Sequence, residues 1–162
     1  MQKVKITAFL LAVLFLCACS KTAVTPVVRG VTFNAHIIYF NKEYLVLTDI
    51  DKNGDTVISV VEPQVIAGAK FVVTGEGAYT EYKDIKYPVN IENAEGAPYF
   101  LSGCLTDAMD KKGQQVGENF IISGKWQDRE YEMYLSGSGI PLKITAKDIE
   151  IEILDAKIKT EQ

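Results

Sequence analysis

Apolar residues at every second position recur along this chain from Val31 onward, the pattern of strands that bury one face and wet the other. Val31, Phe33, Ala35, Ile37 and Tyr39 share one side of a long first strand, with Thr32, Asn34 and His36 on the other. Tyr44, Val46, Thr48 and Ile50 continue the alternation. Asp51-Lys52-Asn53-Gly54-Asp55 reads as a hairpin turn, because Asn and Gly tolerate positive φ, and Thr56 to Val61 returns. Pro63 removes a ladder donor and ends that strand. Short strands follow at 70–74, 78–83 and 85–89, bracketed by Gly68, Gly75 and Gly77. The last third predicts a four-strand meander over 120–126, 131–135, 142–146 and from Ile149 onward. Its apolar phase slips by one residue at Lys147-Asp148, which would turn every later side chain to the other face, so that point is read as a turn. One segment changes period. Ala97, Leu101, Cys104, Leu105 and Ala108 fall at three- and four-residue spacings behind Pro98, which suits a first helical turn, and predict a single helix over 97–109.

Together these elements predict an α+β domain: a curled antiparallel sheet of about nine or ten strands, an incomplete β-barrel, with one short helix as its lid. A sheet this long curls, its concave side needs a cover, and the helix is the only candidate. The residues expected to line the apolar hollow are Phe33, Ala35, Ile37, Val46, Ile58, Phe71, Val73, Tyr131, Met133, Leu142 and Ile144. The same positions would be an ordinary core if the helix packs directly onto them.

Ahead of the domain stands a different kind of segment. Lys3 and Lys5 precede an apolar run from Ile6 to Leu16 that is too short to span a bilayer as a helix, and Leu16-Cys17-Ala18-Cys19 closes it. This resembles a bacterial lipoprotein signal, with Cys17 where a small Ala, Ser, Thr or Val is usual. The resemblance implies cleavage before Cys19, lipidation of its thiol, and an extracytoplasmic location anchored to the cell membrane or the outer membrane; Ser20 is compatible with either. Two or three acyl chains on one residue give stable anchoring, each buried methylene contributing about 0.8 kcal/mol. Ordinary secretion with Cys19 as a free thiol is the plainer alternative. The organisation expected is therefore signal 1–18, tether 19–26 and one domain over 27–158.

Removing Lys3 and Lys5 with the signal moves the formal charge from −4 to −6. An acidic body without basic runs excludes nucleic acid as a partner. Cys17 leaves with the signal and Cys19 carries lipid, so Cys104 alone remains and no internal disulfide can form.

The series Val31-Thr32-Phe33, the 44–61 hairpin, Glu62-Pro63, Ala67-Gly68-Ala69-Lys70-Phe71, the Gly96-Ala97-Pro98 helix entry, Gly139-Ile140-Pro141-Leu142 and Ile149-Glu150-Ile151 resembles LolA-like exported lipoproteins, including LolA, LolB and the LppX and LprG group. The resemblance covers most of residues 27–156. It implies a half-barrel lidded by helices whose hollow holds acyl chains, here with a shorter chain and one helix.

Other constellations are weaker. Asp49, Asp51, Asn53 and Asp55 open like a calcium loop, but Val60 stands where a bidentate Glu belongs and the flanks read as strands, so a solvated hairpin tip is the better reading. His36 has no second ligand or triad partner, and there is no Gly-x-Ser-x-Gly elbow. Glu130 with Glu132, and Glu150 with Glu152, read as solvated outer-face pairs. Cys104 reads as a small buried side chain. No catalytic set, metal or cofactor is expected. The function expected is a non-enzymatic envelope lipoprotein binding or transferring a lipid or lipoprotein acyl chain; the alternative is a structural or adaptor lipoprotein with a filled core, working through protein contacts.

Overall fold

A computed structural model describes residues 29–159. The expected signal at 1–18, the expected lipidation site Cys19 and the expected tether 19–26 lie outside the described residues. Within them, eleven strands form one antiparallel sheet. In chain order they are β1 (Val31–Tyr39), β2 (Lys42–Ile50), β3 (Thr56–Glu62), β4 (Lys70–Thr74), β5 (Gly77–Tyr82), β6 (Ile85–Val89), β7 (Gln114–Val116), β8 (Asn119–Trp126), β9 (Arg129–Leu135), β10 (Pro141–Ala146) and β11 (Ile149–Ile158). A helix, α1 (Ala97–Ala108), lies between β6 and β7.

The sheet order is β6-β5-β4-β3-β2-β1-β11-β10-β9-β8-β7. Two meanders thus meet in the middle, where β1 pairs with β11, Tyr39 opposite Ile149 and Val31 opposite Ile158. The short β7 lacks any apolar alternation (Gln114, Gln115, Val116), and so was not legible as a strand; it forms by pairing with β8. The phase slip at Lys147-Asp148 is a turn, with Asp148 at φ 62°.

Curling of the sheet follows from what α1 touches. The helix contacts β8 on one side and β3 and β4 on the other. β3 and β8 are six places apart in the sheet, which would be roughly 29 Å if flat, whereas a helix is only about 10 Å across. The sheet therefore wraps the helix. Ten of the twelve α1 residues are buried, all except Thr106 and Asp107. A helix apolar nearly all round belongs inside a core, and this one is enclosed from two directions.

Candidate functional site: the trough between sheet and helix

The inward residues of the central strands and the apolar residues of α1 form one buried cluster. Phe33, Ala35, Ile37, Val46, Ile58, Met133 and Ile144 are fully buried, at 0–1% exposure, and so are Leu101, Cys104 and Leu105 of the helix that faces them. Burying each of the larger side chains stabilises the fold by about 1.5–3 kcal/mol. In its centre the trough is filled.

Two glycines make that close fit possible. A Cβ on Gly103 would sit 2.0 Å from Trp126, so the indole lies directly on the helix backbone. A Cβ on Gly124 would sit 2.4 Å from Tyr131 and 2.5 Å from Asp107 Oδ2. That gap is where the helix is latched to the sheet. Tyr131 OH donates to Asp107 Oδ2 at 2.7 Å, and Lys111 Nζ donates to the same oxygen at 2.6 Å. Partial burial pushes the Asp107 carboxyl up, but the hydrogen bonds from Lys111 and Tyr131, the Lys111 charge and the Lys125 N–H outweigh it and hold the group below its ordinary value. Burial, reinforced by the bond to Asp107, raises the Tyr131 phenol well above its usual range. Burial likewise raises the Cys104 thiol, so it stays protonated and unreactive. Thr48 Oγ1, Ser102 Oγ and Trp126 Nε1 are buried with no hydrogen-bond partner among the described protein atoms.

The N-terminal half of α1 is held differently. Gly96, at φ 121°, admits the helix, and the preceding turn at Ile91–Asn93 is gripped from afar by Gln127, whose Nε2 donates to the carbonyls of Glu92 and Ala94 at 3.1 Å each. Tyr99 packs edge-on against Phe71 with ring centroids 5.1 Å apart, and its hydroxyl bonds to that of Thr80 on β5. Cover ends there. Beyond Tyr99 the inner face of β5 and β6 continues, by the pairings Tyr82 with Ile85, Thr80 with Tyr87 and Ala78 with Val89, and no residue of either strand is buried. Ile85 and Tyr87 are 53% and 55% exposed.

The expected hollow residues therefore divide. Eight are buried against the helix, Tyr131 among them with its hydroxyl in the latch. Phe71 and Val73 are half-buried at the margin. Leu142 is a correction: it is 39% exposed, because a bulge between Pro141 and Lys143 gives the inward position to Pro141. The apolar inner face of β5 and β6 was missed as part of a site; Ile85, Tyr87 and Val89 were legible as a strand, but nothing in the sequence marks where the helix stops covering them.

The calcium-like loop is a self-contained turn. Asp51 Oδ1 accepts the N–H groups of Asn53, Gly54 and Asp55 at 2.7–2.9 Å. Asp49 pairs with Lys159 and Asp55 accepts from the Gly75 N–H, so the four side chains do not converge. Among the described residues no group of three or more His, Cys, Asp or Glu could hold a metal. His36 lies on the outer face 3.4 Å from Glu43. Glu132 accepts from Tyr134 OH and Glu150 pairs with Lys143, both in solvent.

No protein-family model and no curated protein sequence matches the chain. Among solved structures it is similar to an uncharacterized conserved protein from Thermus thermophilus, with a TM-score of 0.53 and 12% identity over 84% of this chain and 82% of that one. It is also similar to a LolA superfamily protein from Nitrosomonas europaea, with a TM-score of 0.43 and 9% identity over 82% of this chain and 86% of that one. The likeness to the Thermus protein is one of fold. In layout it is an open antiparallel sheet curled about a single helix, the half-barrel arrangement that the alternation predicts.

Proposed function

We propose that this chain is a non-enzymatic, lipid-anchored extracytoplasmic protein that holds an acyl chain on the inner face of β5 and β6, beside the N-terminal half of α1. The carrying observation is the exposed apolar surface of Ile85 and Tyr87, flanked by half-buried Tyr82 and Val89, which continues the filled trough past Tyr99 and Phe71. Burial of hydrocarbon is the whole driving force at such a surface. The N-terminal pattern Leu16-Cys17-Ala18-Cys19 supports anchoring at the cell membrane or outer membrane, and the absence of a nucleophile set around Cys104 or His36 supports a binding role.

A second reading, an adaptor lipoprotein acting through protein contacts, is favoured by the complete burial of the central trough. Mass spectrometry of lipid co-purifying with residues 20–162 separates them. Stoichiometric acyl-chain lipid in the wild type, lost in an Ile85→Asp, Tyr87→Asp double variant that keeps its thermal midpoint, supports acyl-chain binding. A lipid-free wild type rejects it and leaves the adaptor.

A further inference from the structure

Three turns meet at one rim of the sheet, around the end of β1: Phe40-Asn41, Gln127-Asp128 and Lys147-Asp148. The Phe40 N–H donates to the Asp148 carbonyl at 3.1 Å, joining the first turn to the third. The Arg129 guanidinium lies 5.5 Å from the ring centroids of both Tyr39 and Phe40, joining the second. Phe40 stands 52% exposed at the centre.

The tight turns on this rim use left-handed φ: Phe40, Asn41, Gln127 and Asp148 at 47°, 60°, 53° and 62°, and Lys83 and Asp84 of the β5–β6 turn at 49° and 65°. Turns at the opposite rim place glycine in that region, at Gly54, Gly117 and Gly139. A left-handed conformation is costly for a bulky side chain, and phenylalanine at the tip of a turn is a true outlier. Strain kept at an exposed position points to use of the side chain. A 340 Å³ cleft beside Phe40 and Asp148 and a 420 Å³ cleft beside Arg129 and Lys147 flank the pair.

We infer that this rim is the docking site for a protein partner that offers an apolar pocket for Phe40, ringed by charges of both signs. Charge decides the occupant. Lys42 is followed by Glu43, Lys147 by Asp148, and Arg129 stands between Asp128 and Glu130, so a polyanion or an anionic bilayer meets carboxylates at every tip. An exposed aromatic ring stacked on arginine is the residue pair that anchors protein interfaces. Arg29, the first described residue, lies at the opposite end of β1, about 30 Å away at roughly 3.3 Å per residue. The docking site does not depend on acyl-chain binding at β5 and β6.

The test uses the full-length chain in the cells that make it. A photo-crosslinking phenylalanine analogue replaces Phe40, with Val116 at the other rim as control. The expected result is one protein adduct from position 40 and none from 116. The partner, identified by mass and purified, should bind the wild type and lose about tenfold or more in affinity to Phe40→Gly and Arg129→Glu. Phe40→Gly also relieves the turn, so its thermal midpoint should hold or rise while binding falls, which a merely structural role for Phe40 would not produce. Adducts to lipid or to a second copy of this chain, equal adducts from 116, no adduct, or unchanged affinity of Phe40→Gly overturn the proposal.

Discussion

The two halves of the inner face are built from the same kind of strand and meet different fates. Under α1, alternating residues of β1, β2, β3, β9, β10 and β11 reach 0–1% exposure at Phe33, Ile37, Ile58, Met133 and Ile144. On β5 and β6 the alternation is equally regular, yet Ile85 and Tyr87 stay more than half exposed. The difference is reach: twelve helical residues extend about 18 Å at 1.5 Å each, and the sheet is eleven strands wide. What a strand pattern buries depends on where its cover ends. The filled half serves stability, and the open half leaves apolar surface for something else.

Substitutions can break this contrast in a graded way. Leu105→Ala removes a fully buried side chain facing the central strands, and a loss of about 3 kcal/mol is expected in urea titration, within the range for cavity-forming changes. A loss under 1 kcal/mol would mean that the covered half is loosely packed. Next comes Gly103→Ala, where the added methyl must displace the Trp126 ring and should cost about 2 kcal/mol, with a shift in tryptophan emission as the indole is moved into water.

Asp107→Asn should cost about 1 kcal/mol at neutral pH by weakening the bonds from Tyr131 and Lys111. The folded carboxyl is held below its unfolded value. Its contribution is therefore complete above the ordinary carboxylate range and disappears as pH falls through the lower folded value. Urea midpoints of wild type and variant should separate at pH 7 and converge in acid; a gap independent of pH would assign the cost to shape alone.

On the open half, Ile85→Ser should change stability by less than about 0.5 kcal/mol. A large loss would show that the wing is core after all. Leu142→Arg should be tolerated to a similar degree, since that side chain points outward from its bulge.

Much of the fold was legible. Period-two alternation placed ten of the strands, and the change of period at Ala97 to Ala108 placed the helix to within one residue of its end. Three things were not. Gln114–Val116 carries no alternation and is a strand only because β8 offers it a ladder. Leu142 fits the alternating pattern of its strand, but a bulge set by pairing with β9 turns it out. The helix reads as a lid over one face, whereas its burial on nearly all sides comes from β3, β4 and β8 converging on it.

Taken alone, the sequence determined which residues alternate, where turns fall and which segment is helical, because those depend on neighbours a few positions away. It also carries the lipoprotein-like start at Lys3 to Cys19. Whether the apolar face is filled or open was decided only by tertiary structure. That depends on curl, which brings β8 to the same helix as β3, and on a helix too short to cover β5 and β6; both are relations between residues far apart in the chain.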